Sequence, residues 1–166
     1  ARLLSITRAA WLPKTFPFPA PHGEEQRPRP AYYYRQSSVI PYRLKKGRLE
    51  ILVISSSGNK HCVVPKGIHD PGLSARESAA REAFEEAGAR GTVEDHSLGS
   101  YSQEKWGATC QVEVYPMRVS KLIPKAQWEE THRGRQWLPA DKALDRLKQP
   151  ALGPMIRALS DRLKAD

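Results

Sequence analysis

Apolar and polar residues change their spacing several times along this chain, and each change predicts an element. YYYRQSSVIPYRL (32–44) and RLEILVISS (48–56) both read as strands, joined by a turn at Lys45, Lys46 and Gly47. The second run is apolar enough for the centre of a sheet, whereas Pro41 predicts an edge or bulge position in the first. HCVV, ending at Pro65, is a further short strand, and GIHDPGL (67–73) reads as a loop. Ser74 with Glu77 three residues on forms a capping box, and Gly88 is a terminator, so the spacing predicts a helix between them. GTVEDHSLGSY (91–101) and TCQVEVYPMRV (109–119) are strand-like, the latter alternating Cys110, Val112 and Val114 against Gln111, Glu113 and Tyr115. HRGRQWL (132–138) predicts another short strand. Pro139 opens a helix to about residue 148, and Leu152, Ile156, Leu159 and Leu163 mark an amphipathic helix near 151–164. The pattern is of the α/β class, a mixed sheet with helices on it, without internal repeat.

Composition adds boundaries. Residues 11–30 are proline-rich and aperiodic, so residues 1–31 are read as an extended or partly disordered arm and residues 32–166 as the folded domain. A chain of 166 residues can bury a true core without disulfides or structural metal. Cys62 and Cys110 form no CxxC pair, and no histidine lies at zinc-finger spacing, which predicts a reducing, cytoplasmic home. No apolar run approaches the roughly 20 residues needed to span a bilayer. The first 23 residues carry Arg2, Arg8 and Lys14 and no acid, as a targeting segment does, but prolines at 13, 17, 19 and 21 oppose an amphipathic helix there. A net charge of +9 and a pI near 9.8 favour an anionic partner. Nothing in the pattern specifies an oligomeric state.

Against that basic background, REAFEEAG (81–88) concentrates acid. Glu82, Glu85 and Glu86 stand at i, i+3 and i+4, on one helix face, while Ala79, Ala83 and Ala87 line a stripe small enough for close approach to a sheet. A solvated face would interleave lysines. Two carboxylates at close approach repel by about 1 kcal/mol in water and about 4 kcal/mol in a partly buried cleft. A divalent cation removes that repulsion, and hard ions such as Mg²⁺ and Mn²⁺ take carboxylate oxygens and share substrate phosphates. The cluster thus predicts a metal cradle, and the basic excess a polyanionic small-molecule substrate such as a nucleotide or polyphosphate.

Read from Gly67, the segment Arg81, Glu82, Ala83, Phe84, Glu85, Glu86, Ala87, Gly88, Ala89 resembles the Nudix box, a Gly followed at fixed spacing by Glu, then Arg-Glu, then Glu-Glu and Gly. Leu73 stands where the box has its first Glu, with Asp70 nearby. RLEILVISSSGNKHCVVPKG, EEAGARGTVEDHSLG and GRQWLPADKAL extend the likeness over roughly residues 35–163, toward the diphosphoinositol polyphosphate and diadenosine polyphosphate hydrolase branch. The resemblance implies a Nudix α/β/α sandwich and metal-dependent cleavage of a phosphoanhydride in a nucleoside diphosphate derivative or related polyphosphate. It implies Glu82 and Glu86 as ligands of Mg²⁺ or Mn²⁺, the Lys66 carbonyl as a further metal oxygen, Glu85 as ligand or general base, and Arg81 as the residue that orients the glutamates.

Lys66, Gly67, Arg43, Lys60, Arg133 and Arg135 are candidates for contact with substrate phosphates, and Glu129 or Glu130 for a late metal-binding carboxylate. Tyr32 to Tyr34, Tyr101 and Trp106 read as sheet aromatics ahead of base-stacking groups. His61, His69, His96 and His132 share no metal spacing, and Cys62 reads as buried and inert. Two other classes stay open at this point: a catalytically silent Nudix domain acting as a sensor, for which Leu73 speaks, and an RNA-binding or RNA 5′-end processing protein, for which the charge speaks but no RNP, KH or zinc-knuckle motif does.

Overall fold

The structure is a computed structural model and describes residues 29–165, so the proline-rich arm up to residue 28 lies outside the described residues. A 3₁₀ turn at Ala31–Tyr34 leads into β1 (Arg35–Lys45), β2 (Arg48–Ser55), β3 (Cys62–Val63) and β4 (Lys66–Ile68). Then come α1 (Ala75–Ala87), β5 (Ala89–Val93), β6 (Gly99–Lys105) and β7 (Ala108–Leu122). The chain closes through a 3₁₀ turn at Lys125–Gln127, β8 (Arg135–Pro139), α2 (Ala140–Arg146) and α3 (Leu152–Ala165). One mixed sheet runs β3-β2-β1-β7-β5, with β8 beside β2, β4 beside β1 and β6 beside β7. β1 and β7 are parallel, Arg35–Tyr42 alongside Gln111–Arg118.

Because side chains alternate along a strand, the central strands feed two cores. Val39, Leu52, Ile54, Tyr115 and Met117 face α1, whose Ala79, Ala83 and Ala87 are fully buried against them. Ile40, Tyr42, Ile51, Val53, Val112 and Val114 face the other way, where Leu152, Ile156 and Leu159 of α3 and Ala143 of α2 cover them. The result is the expected α/β/α sandwich. The near-continuous apolar reading of β2 follows from its having cover on both faces.

Four local readings are corrected. Tyr32–Tyr34 form a 3₁₀ turn instead of strand, because Tyr33 N–H closes on the Pro30 carbonyl and Tyr34 is buried with Ala108 and Cys110. Pro41 lies inside central β1, not at an edge. It falls between the stretch paired with β4 (Gln36–Ser38) and the stretch paired with β2 (Tyr42–Lys45), where a missing N–H costs neither ladder a bond. Gly67 and Ile68, read as loop, become strand through pairing with Ser37 and Gln36. The run 91–101 splits: β5 pairs with the C-terminal half of β7 and β6 with its N-terminal half.

Candidate active site

Both ends of α1 are fixed. Ser74 Oγ accepts from Glu77 N–H at 3.1 Å and Glu77 Oε1 from Ser74 N–H at 3.2 Å, closing the capping box. At the other end Gly88 adopts φ 61°, and an added Cβ would lie 2.6 Å from Arg135 Nη1. Arg135 donates to the Ala87 carbonyl at 2.9 Å and the Ile123 carbonyl at 2.6 Å while stacking on Trp128. It therefore clamps the negative end of the helix dipole.

The acidic face of α1 is not solvated. Glu82, Glu85 and Glu86 are 6%, 2% and 6% exposed, so the helix is buried on its carboxylate side as well as on its alanine stripe. Glu82 rests on the backbone of β4: a Cβ built on Gly67 would stand 2.2 Å from Glu82 Oε1. Glu86 Oε1 accepts the Lys66 amide at 3.0 Å, and its Oε2 faces Arg133 Nη2 at 3.7 Å. Arg133 also donates to the Ser55 carbonyl at 2.9 Å and to Glu130 Oε1 at 3.0 Å, which links Glu130 to the cluster through an arginine. Arg81 points elsewhere than expected: Nη1 pairs with Asp70 Oδ2 at 3.4 Å. Asp70 is buried, and its Oδ1 accepts from Gly72 N–H at 2.9 Å. Leu73 N–H returns to the Asp70 carbonyl, and His69 Nε2 lies 2.8 Å from the Leu73 carbonyl, so these contacts order the loop ahead of α1.

Beside Glu86 opens a cleft of about 400 Å³ lined by Lys66, Gln103, Lys105, Arg133 and Lys148, with Tyr101 at its wall. Lys66 Nζ is held by Gln103 Oε1; burial lowers its pKa, the field of Lys105 adds to this and Glu86 opposes it. Burial pushes the Tyr101 phenol up to about 12, so it remains a neutral donor. Of the proposed phosphate contacts, Lys66 and Arg133 come together here, while Gly67 lies under Glu82 in the pairing of β4 with β1. Arg43 does not: it pairs with Glu50 at 2.7 Å and stacks on Trp137. Lys60 lies in a separate depression with His61 and Arg146. Lys105, Lys148 and Gln103 were missed by the sequence reading. A signal existed for the β6 pair, since Tyr101, Gln103 and Lys105 share the parity of the inward residues opposite them, Val112, Cys110 and Ala108.

Hard carboxylate oxygens and a backbone carbonyl suit Mg²⁺ or Mn²⁺, and the glycine that lets Glu82 settle on β4 provides the cradle. Among the described residues no three His, Cys, Asp or Glu side chains converge as a ready-made metal site. The oxygens of Glu86 face protein donors.

The NUDIX domain family matches residues 33–159 of the chain. The chain belongs to the Nudix family. Nudix hydrolase 18, mitochondrial, of Arabidopsis thaliana is 34% identical over 135 residues, covering 73% of this chain and 75% of the relative. Diphosphoinositol polyphosphate phosphohydrolase 3-beta of Bos taurus is 26% identical over 118 residues, covering 69% and 70%. In fold, the chain is similar to an Ap4A hydrolase of C. elegans in a binary complex, with a TM-score of 0.66 and 24% identity over 80% of this chain and 99% of that one. This Nudix domain is accordingly an enzyme of the pyrophosphohydrolase type. The expectation of a cytoplasmic home is overturned by the relatives: Nudix hydrolases 12 and 18 of Arabidopsis thaliana are mitochondrial and Nudix hydrolase 21 chloroplastic. Two distant cysteines without a CxxC pair fit a reducing environment, which those compartments share with the cytosol, so they could not single out the latter.

Proposed function

We propose that this Nudix hydrolase depends on Mg²⁺ or Mn²⁺ and cleaves a phosphoanhydride bond in a dinucleoside polyphosphate or diphosphoinositol polyphosphate. The observation that carries this reading is the seating of buried Glu86 in the wall of a cleft whose charged lining otherwise consists of Lys66, Lys105, Arg133 and Lys148. One carboxylate set against four cations suits a substrate far more anionic than a simple ester.

In this reading Glu82, Glu86 and the Lys66 carbonyl hold the ion, and Glu85 takes the proton from the attacking water. A divalent ion, when bound, neutralises charge on the bridging phosphate oxygens and acidifies water. The chain's own part is positional. Arg135 and the capping box set the height of α1, Gly67 lets Glu82 approach β4, and the lysines fix the polyphosphate for in-line attack. Relatives named for diphosphoinositol polyphosphate and Ap4A support the substrate class. The relatives' compartments support an organellar home, which a fluorescent fusion scored against organelle markers checks.

The deciding experiment is release of phosphate-containing product from dinucleoside polyphosphates, nucleoside diphosphate sugars, capped or triphosphorylated RNA and inositol pyrophosphates, with and without chelator. Turnover of a polyphosphate that the chelator abolishes is expected. Tight metal-independent binding without turnover of any member would instead mark a sensor, or an RNA-binding protein if RNA alone is retained.

A further inference from the structure

Arg133 already faces the carboxylate that a metal ion would use. Its guanidinium is 10% exposed and divides itself among three acceptors: the Ser55 carbonyl at 2.9 Å, Glu130 Oε1 at 3.0 Å and Glu86 Oε2 at 3.7 Å. The first two are hydrogen bonds by distance. The third is an ion pair beyond hydrogen-bond length, so it is the contact that yields most easily. The two tethers that remain, on the Ser55 carbonyl and Glu130, hold Arg133 in the wall of the cleft that it lines.

We infer that Arg133 is a resident counter-charge of Glu86 which a divalent cation must displace, and that the displaced guanidinium then serves the substrate's phosphates. The inference rests on the reading of Glu86 as a metal ligand. A guanidinium and a metal ion compete for one oxygen, and as like charges in a partly buried cleft they repel each other as well. Metal binding therefore carries the cost of breaking the pair, while it frees a planar fork suited to phosphate. The ion and the polyphosphate are coupled positively through this one side chain: either bound first favours the other. Glu86 accepts the Lys66 amide on one oxygen and faces Arg133 with the other.

The test is Mn²⁺ binding to the full chain in the absence of substrate, followed by calorimetry and by the electron paramagnetic resonance of free Mn²⁺. Arg133→Gln is expected to bind Mn²⁺ at least about tenfold more tightly than the wild type, because a competing charge has gone. Glu130→Gln loosens a tether, strengthens the hold of Arg133 on Glu86 and weakens Mn²⁺ binding; in the double variant that weakening disappears. Unchanged or weaker binding by a folded Arg133→Gln protein overturns the proposal, as does a Glu130→Gln effect that persists undiminished in the double variant. Should Arg133→Gln not fold, Arg133→Lys replaces it: a point charge cannot keep all three contacts, so an intermediate gain is expected and no gain overturns the proposal. Wild-type Mn²⁺ binding that Glu86→Gln abolishes shows that a failure lies with Arg133 alone. No Mn²⁺ binding by any variant removes the metal reading and the proposal together.

Discussion

Substituting alanine for Gly67 places one methyl group at the point where α1 meets β4. That carbon would stand 2.1 Å from Glu82 Cδ and 2.2 Å from Glu82 Oε1. Unbonded carbons rest at about 3.5–4.0 Å, so the carboxylate must retreat by more than about 1 Å. The backbone at Gly67 lies in an ordinary strand pair with Ser37 and has none of the positive φ found at Gly47, Gly88, Gly99 and Gly107, so the penalty is steric alone. Overfilling a close-packed site costs about 1–3 kcal/mol. In a domain of this size each kcal/mol lowers Tm by about 2–4 °C. The effect on chemistry is larger in proportion, since displacing a catalytic group by about 1 Å costs on the order of 100-fold in rate. Thermal melting by circular dichroism gives the first quantity, and steady-state hydrolysis of a dinucleoside polyphosphate under saturating Mg²⁺ gives the second. A Gly67→Ala protein whose kcat stays within about threefold of wild type would refute the functional placement of Glu82 on β4.

Other expectations follow from the same geometry. Glu86→Gln and Glu85→Gln keep the fold yet lower turnover by at least about 100-fold, measured as kcat beside an unchanged melting curve; unfolding of either variant would make that face structural instead. Lys66 has its pKa lowered by burial, so between that value and its ordinary 10.5 the unfolded chain binds more protons than the folded one. Its charge therefore costs stability at neutral pH, and the cost fades as pH climbs toward 10.5. Lys66→Met accordingly raises Tm most near neutrality, with the gap to wild type closing on the alkaline side; a pH-independent gap contradicts the burial argument. Ser74→Ala removes the acceptor at the start of α1 and costs about 1 kcal/mol, seen as a Tm lower by about 2–4 °C, and an unaltered melt would show that the capping box contributes nothing.

What could be read from the chain was whatever neighbours in sequence determine. The capping residues Ser74 and Glu77, the i, i+3, i+4 carboxylates and the alternation in β7 are local facts, and they reappear in space unchanged. Distant pairing decides the rest. Gly67 is a poor strand former and Ile68 is a single apolar residue ahead of a turn-forming run, so the pair acquires its strand geometry from β1. Arg133 and Arg135 look interchangeable two positions apart, yet one meets Glu86 and the other holds the Ala87 and Ile123 carbonyls. Lys105 and Lys148 reach the cleft from a hairpin tip and from the loop between α2 and α3, and sequence distance conceals that meeting. Burial of the carboxylate face was likewise illegible, because a sequence shows which residues share a side of a helix and not what covers that side.

The parallel seam between β1 and β7 has a bearing on synthesis. Residue 35 lies against residue 111 and residue 42 against residue 118, a separation of 76 positions in each case. Long-range parallel pairing is slow to form because a large loop must close before any contact rewards it. α1 is made well before β7, so its glutamates emerge from the ribosome into water and stay hydrated until the later strand docks. A nascent chain halted ahead of residue 111 therefore has its acidic residues but no cleft to put them in, and it is at this stage that chaperones and proteases find the protein most open.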